Sequence, residues 1–413
     1  MTKMMKVLFY NHTATVSGAE RVLLLILSQL DRRKFTLEVW CPSGSLSRMV
    51  EELRVPCREA EPLAARFTWR PDHLADYLRS FYRVIRQVRA RVIEAAPDLI
   101  HANSIRAGLV MTAATAGLRI PVIWHLHDLL PRHPFSSAIR AVALSSSRLR
   151  LIAVSQATAD SFNGWLSRLF SQRVPVSVIH NAAQTEKFQF NPASRKAVRA
   201  ELDLADTQPV IGIVGQLTER KGQLGLLRAF AKVTKIIPQA VLFVVGAPLF
   251  TQADQDYHQH LLQTAERLGL TNQVRFLGER SDIPAVMQAL DVLVVNSLAE
   301  PCGLVVLEGM ASGTPIIATA VGGNPEMIRH NENGWLVPAR DETALAQAII
   351  KLIRQPPLAA RFAENARDSV LTDFTVTSFM NKLNDSYLAA ISRAPVTIDS
   401  RQAVIRPNQY PAD

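Results

Sequence analysis

Long apolar runs are absent from this sequence. No stretch approaches the roughly 20 consecutive apolar residues that a helix needs to cross a bilayer. The basic and then apolar start, residues 1–10, is too short for a secretory signal, so we expect it to form a first strand. These absences argue against a membrane-spanning or exported protein. They predict a cytoplasmic protein, with a peripheral place on the inner face of the membrane as the alternative.

Cysteine and the common cofactor motifs are also scarce. The three cysteines, Cys41, Cys57 and Cys302, lack metal-site spacing and cannot all pair, which favours a reducing compartment. No Asp-x-Asp stands in a metal-site context, so we expect no metal. No G-x-G-x-x-G follows either opening strand, and Gly212-Ile-Val-Gly215 has the wrong spacing. This argues against a NAD-dependent oxidoreductase.

The chain has enough length and apolar content for two ordinary domains. It has 413 residues, of which 48% are hydrophobic and 20% charged, as in globular proteins with a sizeable core. The net charge of +10 is uneven: residues 1–185 carry 24 lysines and arginines against 13 acidic residues. A solvated basic surface explains this, and so does a surface that meets anionic lipid or a phosphate-bearing acceptor. We expect no nucleic-acid partner.

Apolar strand patterns alternate with helical patterns twice along the chain, with a polar stretch around residues 185–208 between the two series. This alternation predicts an α/β protein with two Rossmann-like, doubly wound parallel-sheet domains facing across a cleft. We place the first domain at residues 1–185, the second at 186–373 and a flexible tail at 392–413. The predicted strands begin at Val7, Leu37, Leu99, Val122, Leu151, Val176, Val210, Val241, Val274, Val292 and Ile316.

Two carboxylates eight residues apart, Glu300 and Glu308, follow the apolar stretch 289–295. A strand, a glycine-bearing loop and a helix start together present backbone N–H groups to a phosphate. Eight residues is just over two helical turns, so a helical connection would put both carboxylates on one side of a cleft. The run from Ser297 to Pro315 resembles the E-x7-E signature of retaining glycosyltransferases of the GT-B fold, family four.

This resemblance implies a nucleotide-sugar site. In it, Glu308 would accept hydrogen bonds from the ribose hydroxyls, and Glu300 would contact a hydroxyl of the donor sugar. The backbone N–H groups near Gly303 and Leu304 would hold the diphosphate at a helix N-terminus. The resemblance also implies that a last helix, residues 374–391, packs back on the first domain. Two surface glutamates without a ligand are the alternative.

A second motif, Gly215-Gln216-Leu-Thr-Glu-Arg220-Lys221-Gly222, directly follows a predicted strand. It resembles the family's G-R-L-x-x-x-K-G motif, in which an arginine and a lysine hold the donor diphosphate. Lys221 matches the lysine, but Gln216 replaces the arginine and brings no charge. Arg220 could compensate for that loss, or the clamp could be weaker. An ordinary loop with a solvated lysine is the structural alternative.

The first domain carries two further candidates. Gly18 and Ala19 resemble the family's G-G-x-E loop near the donor diphosphate, whereas Glu20 also suits any helix start. His127 aligns with a family histidine near the anomeric carbon of the donor sugar, and His125 is the alternative. Candidates for an acceptor pocket follow another strand; they are His101 and Asn103.

A basic helical pattern runs through residues 79–91. Arg79, Arg83, Arg86 and Arg89 recur at helical spacing, opposite an apolar set. A solvated face is the default interpretation. The alternative is a basic helix that faces anionic lipid or a lipid-linked acceptor.

Together these motifs predict a glycosyltransferase of the hexosyl-transferring type. It would move a sugar from a nucleotide diphosphate to an acceptor hydroxyl in polysaccharide, lipopolysaccharide or glycolipid synthesis. We predict His127, Glu300 and Lys221 as catalytic residues. The donor is a substrate and no separate cofactor is expected, while the acceptor would be a carbohydrate or a lipid-linked sugar. A nucleotide-sugar epimerase, a glucan synthase and a non-catalytic binding module are the alternatives. The sequence does not identify the base, the sugar or the acceptor.

Overall fold

The computed structural model describes residues 4–61, 71–164, 176–249 and 251–392. Within this part, the chain forms two compact α/β units. The N-terminal unit contains the described residues up to Asn181 and those from Phe379 onwards, and the C-terminal unit is Ala182–Ser378. Each unit is built around its own sheet, so the chain alternates strand and helix twice, as predicted.

The sheet of the N-terminal unit has seven parallel strands in the order β3-β2-β1-β4-β5-β6-β7. The strands are β1 Met5–Tyr10, β2 Phe35–Cys41, β3 Cys57–Glu59, β4 Leu99–Ala102, β5 Val122–Leu126, β6 Leu149–Ala153 and β7 Val176–Val178. Its helices are Gly18–Gln29, Ser45–Glu52, Pro71–Ala95, Ile105–Ala114, Pro134–Leu144, Gln156–Asn163 and most of Val376–Ser392. The strand order reverses between β1 and β4, which makes this pair the topological switch point.

The sheet of the C-terminal unit has six parallel strands in the order β10-β9-β8-β11-β12-β13. The strands are β8 Val210–Val214, β9 Val241–Val245, β10 Val274–Gly278, β11 Val292–Val295, β12 Ile316–Thr319 and β13 Trp335–Val337. Its α-helices are Pro192–Glu201, Gln223–Thr234, Gln252–Arg267, Ile283–Ala289, Leu304–Ala311, Asn324–Met327, Glu342–Arg354 and Pro356–Asp373, with a 3₁₀ turn at Glu219–Lys221. The switch point here lies between β8 and β11.

The central strands are mostly apolar because helices cover both faces of each sheet, although β4 contains His101 and β5 contains His125. Residues of β9, Val241–Val245, are all nearly inaccessible to solvent, and the inner residues of β1 are equally buried. All eleven predicted strands are present. Two three-residue strands, β3 and β13, were not predicted, although β7 has the same length and was.

Two further expectations differ in detail from the structure. The polar stretch between the two series contains a helix, Pro192–Glu201, which Asn191 caps through its side chain. The last helix begins at Val376, two residues later than expected, and it ends at Ser392. The predicted flexible tail beyond Ser392 lies outside the described residues. Among the described residues, no helix combines the length and the apolar character needed to cross a membrane.

Asp291 joins the helix Pro192–Glu201 to the sheet of the C-terminal unit. Its carboxylate accepts hydrogen bonds from Arg195, at 2.6 Å, from Arg199, at 2.8 Å, and from the backbone N–H of Val210, at 2.7 Å. Arg199 is 1% exposed and also donates to the carbonyls of Ala205, Asp206 and Gln208. The buried guanidinium therefore has both a charge partner and hydrogen-bond acceptors.

Replacing Arg199 by methionine should destabilise the chain by about 3 kcal/mol, because it leaves Asp291 and three carbonyls without their buried donor. Urea unfolding of the variant measures this loss. Arg195→Met is the matched control, since it breaks an ion pair with the same carboxylate at a side chain that is 27% exposed. We expect a loss of about 1 kcal/mol there, and equal losses in both variants would contradict the structural role given to Arg199.

Candidate functional site

The predicted phosphate-binding residues of the C-terminal unit follow two neighbouring strands. Gly215, Gln216, Arg220 and Lys221 come after β8, and Glu300 comes after β11. Since β8 and β11 pair in parallel, their carboxyl ends lie at the same edge of the sheet. The fold therefore brings together residues that are about 80 positions apart in the sequence.

A short ion pair links these two loops. Lys221 Nζ lies 2.6 Å from Glu300 Oε2, and the Glu300 side chain is only 5% exposed. The same carboxylate oxygen accepts a hydrogen bond of 2.8 Å from Ser297 Oγ. Arg220 Nη1 lies 4.0 Å from the other oxygen, with 44% of its side chain exposed. Burial opposes ionisation of Glu300, but Lys221, Arg220 and Ser297 together lower the pKa of this carboxyl.

Glycine at two positions lets the backbone of these loops pack closely. Gly222 has a left-handed conformation, with φ of +69°, and a Cβ there would lie 2.0 Å from the carbonyl oxygen of Asn296. The Asn296 side chain in turn donates to the carbonyl of Gly222 at 2.8 Å. On the other side, Gly322 approaches the carbonyl of Glu300, which accepts from the N–H of Gly323 at 2.8 Å. Both backbone contacts fix the loops that carry Lys221 and Glu300.

The two glutamates are not joined by a continuous helix. The helix begins at Leu304, with Gly303 as its N-cap residue, so Glu300 lies in the preceding loop. Glu308 lies within the helix and is partly exposed. The expectation that helical spacing aligns both carboxylates was therefore wrong for the first half of the interval. The first N–H groups of this helix have no intrahelical acceptor, as at any helix start.

Gln216 is held between two parts of the C-terminal unit. Its amide nitrogen lies 3.4 Å from Asp254 Oδ2, and its backbone carbonyl accepts from Gln223 Nε2 at 2.8 Å. Asp254 is buried and belongs to the capping box of the helix Gln252–Arg267, in which it accepts from the N–H of Thr251. The neutral side chain of Gln216 thus faces the carboxylate that caps the helix Gln252–Arg267.

In the N-terminal unit, Gly18 and Ala19 form the first turn of the helix Gly18–Gln29. Glu20 accepts hydrogen bonds from the N–H of Ser17, at 3.0 Å, and from its hydroxyl, at 2.6 Å. The Glu20 carboxylate also accepts from Asn11 Nδ2 at 3.3 Å. Glu20 is therefore a helix-capping residue, and only the backbone of Gly18 and Ala19 remains as a binding candidate in this loop.

His127 lies just beyond β5 and is partly exposed. Its Nε2 lies 3.1 Å from Asn103 Oδ1. Asn103 follows β4, the strand next to β5, and its side-chain nitrogen donates to Asn11 Oδ1 and to the carbonyl of Ala19. The structure thus joins three of the predicted positions of this unit: His127, Asn103 and the loop that contains Ala19.

The neighbouring histidines are buried. His101 is completely inaccessible and its Nδ1 lies 2.7 Å from the hydroxyl of Tyr387, so the expectation that His101 lines an acceptor pocket was wrong. His125 is equally buried, and among the described residues neither of its ring nitrogens has a hydrogen-bond partner. Its ring packs 4.0 Å from that of His127, centroid to centroid.

Burial keeps these imidazoles neutral. It lowers the pKa of His101 and that of His127 to about 3, and in His101 the nearby His127 adds to the effect. The pKa of His125 is also held well below its usual range, by burial first and then by the other two histidines. His12, whose Nδ1 lies 3.0 Å from Ser104 Oγ, has a pKa of about 4 because of burial and of Arg106. None of the four carries a charge near neutral pH.

The predicted basic helix is Pro71–Ala95, and its arginines differ in their surroundings. Arg89 donates to the carbonyls of Ala114 and Ala116, at the end of the helix Ile105–Ala114. Arg83 and Arg86 are exposed, and Arg86 lies over the ring of Tyr82. Arg89 is thus part of the fold, and the remaining exposed cations form a shorter basic face than the spacing predicted.

Two family models match this chain. The model described as Glycosyltransferase Family 4 covers residues 16–187, and the model described as Glycosyl transferases group 1 covers residues 194–369. The chain belongs to glycosyltransferase family four. Its two parallel-sheet units are those of the GT-B fold, as predicted.

Curated relatives of this family are similar over part of the chain. A D-inositol 3-phosphate glycosyltransferase of Stackebrandtia nassauensis is 36% identical over 214 residues, which is 50% of this chain and 48% of the relative. The lipopolysaccharide core biosynthesis glycosyltransferase LpsE of Rhizobium meliloti is 32% identical over 197 residues, which is 48% of this chain and 54% of the relative. The matched stretch thus spans about half the length of these relatives.

A solved structure extends the likeness to nearly the whole chain. Anabaena Alr3699/HepE in complex with UDP is 29% identical, with a TM-score of 0.79 over 93% of this chain and 100% of that chain. Against the family's motifs, the structure adds Ser297 and Asn296 as supports of the Glu300 and Lys221 loops. Ser297 opens the glutamate motif in the sequence, but a serine in a loop gives no signal of its contacts.

The buried histidines of this family-four chain should make it sensitive to acid. They remain neutral when folded but take up protons when unfolded, so the unfolded state binds more protons below about pH 6.5. The free energy of unfolding should therefore fall from pH 6.5 to pH 5, by roughly 1 kcal/mol per buried histidine and pH unit. Urea unfolding at pH 7, 6 and 5 measures this slope.

The variant His125→Leu separates this effect from other causes of acid lability. It removes two buried nitrogens without partners, so its stability at pH 7 should equal or exceed that of the wild type. Between pH 6.5 and 5, its free energy of unfolding should fall less than that of the wild type, by the contribution of one buried histidine. A slope identical to that of the wild type would show that His125 is not held neutral by the fold.

Proposed function

We propose that this chain transfers a sugar from a nucleotide diphosphate to an acceptor hydroxyl with retention of the anomeric configuration. The observation that supports it best is the Lys221–Glu300 pair, which lies at the carboxyl edge of the C-terminal sheet and precedes the helix start at Leu304. Ligands of doubly wound sheets bind at this edge, and a helix start favours anions.

The charges of this edge suit a diphosphate leaving group. Arg220 and Lys221 place two cations beside the buried carboxylate of Glu300 at this edge. Negative charge grows on the diphosphate as the glycosidic bond breaks, and fixed cations and N–H groups stabilise it. In this proposal Gly215, Gly303 and Leu304 supply close backbone contacts, and Glu308 accepts hydrogen bonds from the ribose hydroxyls.

The donor we propose first is a UDP-sugar. A solved structure of Anabaena Alr3699/HepE, 28% identical to this chain, is a complex with UDP-glucose. For the acceptor, the curated relatives point to lipopolysaccharide core sugars or to a phosphorylated polyol. The basic N-terminal half agrees with a phosphate-bearing or lipid-linked acceptor, and exposed Arg83 and Arg86 would face an anionic membrane.

The first test combines nucleotide binding with transfer. We expect UDP to raise the unfolding temperature more than GDP or ADP does, because a ligand that binds only the folded state stabilises it. Incubation with labelled UDP-sugars and candidate acceptors should yield a labelled acceptor, whereas an epimerase would change the donor without an acceptor. Glu308→Ala should abolish donor hydrolysis and transfer. Unchanged activity in this variant would refute the assigned nucleotide site.

Paired variants distinguish the contribution of Lys221 to UDP binding from its contribution to stability. Lys221→Met should weaken UDP binding by about 10- to 100-fold, the range for a lost charged hydrogen bond, and should also destabilise the chain by leaving buried Glu300 unpaired. The double variant Lys221→Met with Glu300→Gln should recover stability but not UDP binding. Lys232→Met, on the helix Gln223–Thr234, is the control for losing a lysine from an exposed contact. Full UDP affinity in the double variant would exclude Lys221 from the diphosphate clamp.

Gln216 gives a prediction about the charge that the family motif carries and this chain lacks. An arginine there would meet Asp254, which lies 3.4 Å from the present amide, and this carboxylate would offset most of the added charge. Gln216→Arg alone should therefore change the dissociation constant of UDP by less than about threefold. Gln216→Arg combined with Asp254→Asn should tighten it by about tenfold, equivalent to about 1.4 kcal/mol. Asp254→Asn alone is the control, and a tenfold gain in the single arginine variant would show that Asp254 does not offset the charge.

A further inference from the structure

Three side chains of the N-terminal unit form a directed chain of hydrogen bonds that ends at His127. Asn11 Nδ2 donates to the carbonyl of Thr13 at 2.9 Å and to Glu20 at 3.3 Å. Asn103 Nδ2 donates to Asn11 Oδ1 at 3.0 Å and to the carbonyl of Ala19 at 3.3 Å. Asn103 Oδ1 then lies 3.1 Å from His127 Nε2. Both asparagines are completely buried.

The orientation of each amide follows from partners that can only accept. A backbone carbonyl and a carboxylate face the nitrogen of Asn11, so its oxygen must point towards Asn103. The Ala19 carbonyl likewise fixes the nitrogen of Asn103, so its oxygen must point towards His127. An amide oxygen cannot donate, and a hydrogen bond to it therefore requires a proton on Nε2 of the ring.

We propose that Asn103 is a positioning residue, which holds His127 as the neutral tautomer with its proton on Nε2 and so presents Nδ1 as an acceptor to a hydroxyl of the donor sugar. This role rests on the proposed function, whereas the proton on Nε2 follows from the hydrogen bonds alone and the neutral state of the ring follows from its burial. A ring fixed in this way orients the sugar through one hydrogen bond and does not act as a proton donor at Nδ1.

The same amide also reaches the loop at the start of the helix Gly18–Gln29. Asn103 contacts the carbonyl of Ala19, and Glu20, which caps that helix, contacts Asn11. The position of the His127 ring is thus set by the loop proposed to approach the donor. Because Asn11 and Asn103 carry no charge, the geometry of this chain depends on the direction of its hydrogen bonds and little on ionic strength.

The tautomer can be measured in the wild-type protein, without any variant. In the ¹⁵N-histidine-labelled protein, two-bond ¹H–¹⁵N spectra distinguish the Nε2–H, Nδ1–H and charged forms, and His127→Asn assigns the signal. We expect the Nε2–H form from pH 7.5 to pH 5. A ring that carries its proton on Nδ1, or that becomes charged near pH 6.5, would overturn the inference.

Asn103→Ala tests the positioning role. We expect His127 to populate both neutral tautomers, kcat/KM for the nucleotide-sugar to fall by about tenfold, and the affinity for UDP alone to stay unchanged, since UDP lacks the sugar. Ser104→Ala is the control: it removes a neighbouring side chain that caps the helix Ile105–Ala114 and contacts His12. It should leave both the His127 tautomer and kcat/KM as in the wild type.

The outcomes separate this inference from the proposed function. A mixed tautomer in Asn103→Ala with unchanged kcat/KM would refute the positioning role while leaving the transfer reaction intact. A wild-type protein that binds UDP-sugars but transfers nothing would refute the proposed function, and the spectra of His127 would still decide the tautomer. Should Asn103→Ala fail to fold, the wild-type spectra alone can overturn the inference.

Discussion

The ion pair between Lys221 and Glu300 joins the two loops that form the candidate site of the C-terminal unit. A carboxylate with 5% of its side chain exposed cannot stay ionised without a partner, since burial alone would raise its pKa. The partner comes from the loop after β8, and the carboxylate comes from the loop after β11. The pair can form only because the strand order places β8 beside β11. Close packing of Gly222 and Gly322 then holds each loop at the required distance.

The two units use the same sheet edge for different chemistry. In the C-terminal unit, cations and a buried carboxylate produce a local field that suits a phosphate. In the N-terminal unit, the equivalent edge carries neutral side chains whose hydrogen bonds have a fixed direction: Asn11, Asn103 and His127. A field attracts an anion over several ångströms, whereas directed hydrogen bonds distinguish hydroxyls at contact distance.

The sequence predicted the main strands because buried parallel strands are short and mostly apolar. It did not predict β3, in which an arginine and a glutamate follow a single cysteine, nor β13 at the edge of the other sheet. The resemblance placed Lys221 and Glu300 in one motif set, but their direct contact joins residues 79 positions apart and depends on the order of the strands. The eight-residue spacing was misread because the helix begins only at Leu304. Capping decides that start, and Gly303 gives a weaker signal for a cap than serine or aspartate would.

The hydrogen bonds that lead from Asn11 through Asn103 to His127 could not be predicted from the sequence. Asn11, Asn103 and His127 follow three different strands, and each residue type alone is compatible with many roles. Their roles depend on the direction of their hydrogen bonds. Backbone carbonyls, such as those of Thr13 and Ala19, set that direction, and no sequence motif identifies these acceptors. The same reasoning separates three histidines that look alike in the sequence. His101 bonds Tyr387 and His125 has no partner among the described residues, while His127 alone combines a fixed ring with partial exposure. Direction and accessibility together, and not residue type, distinguish His127 from the other two rings.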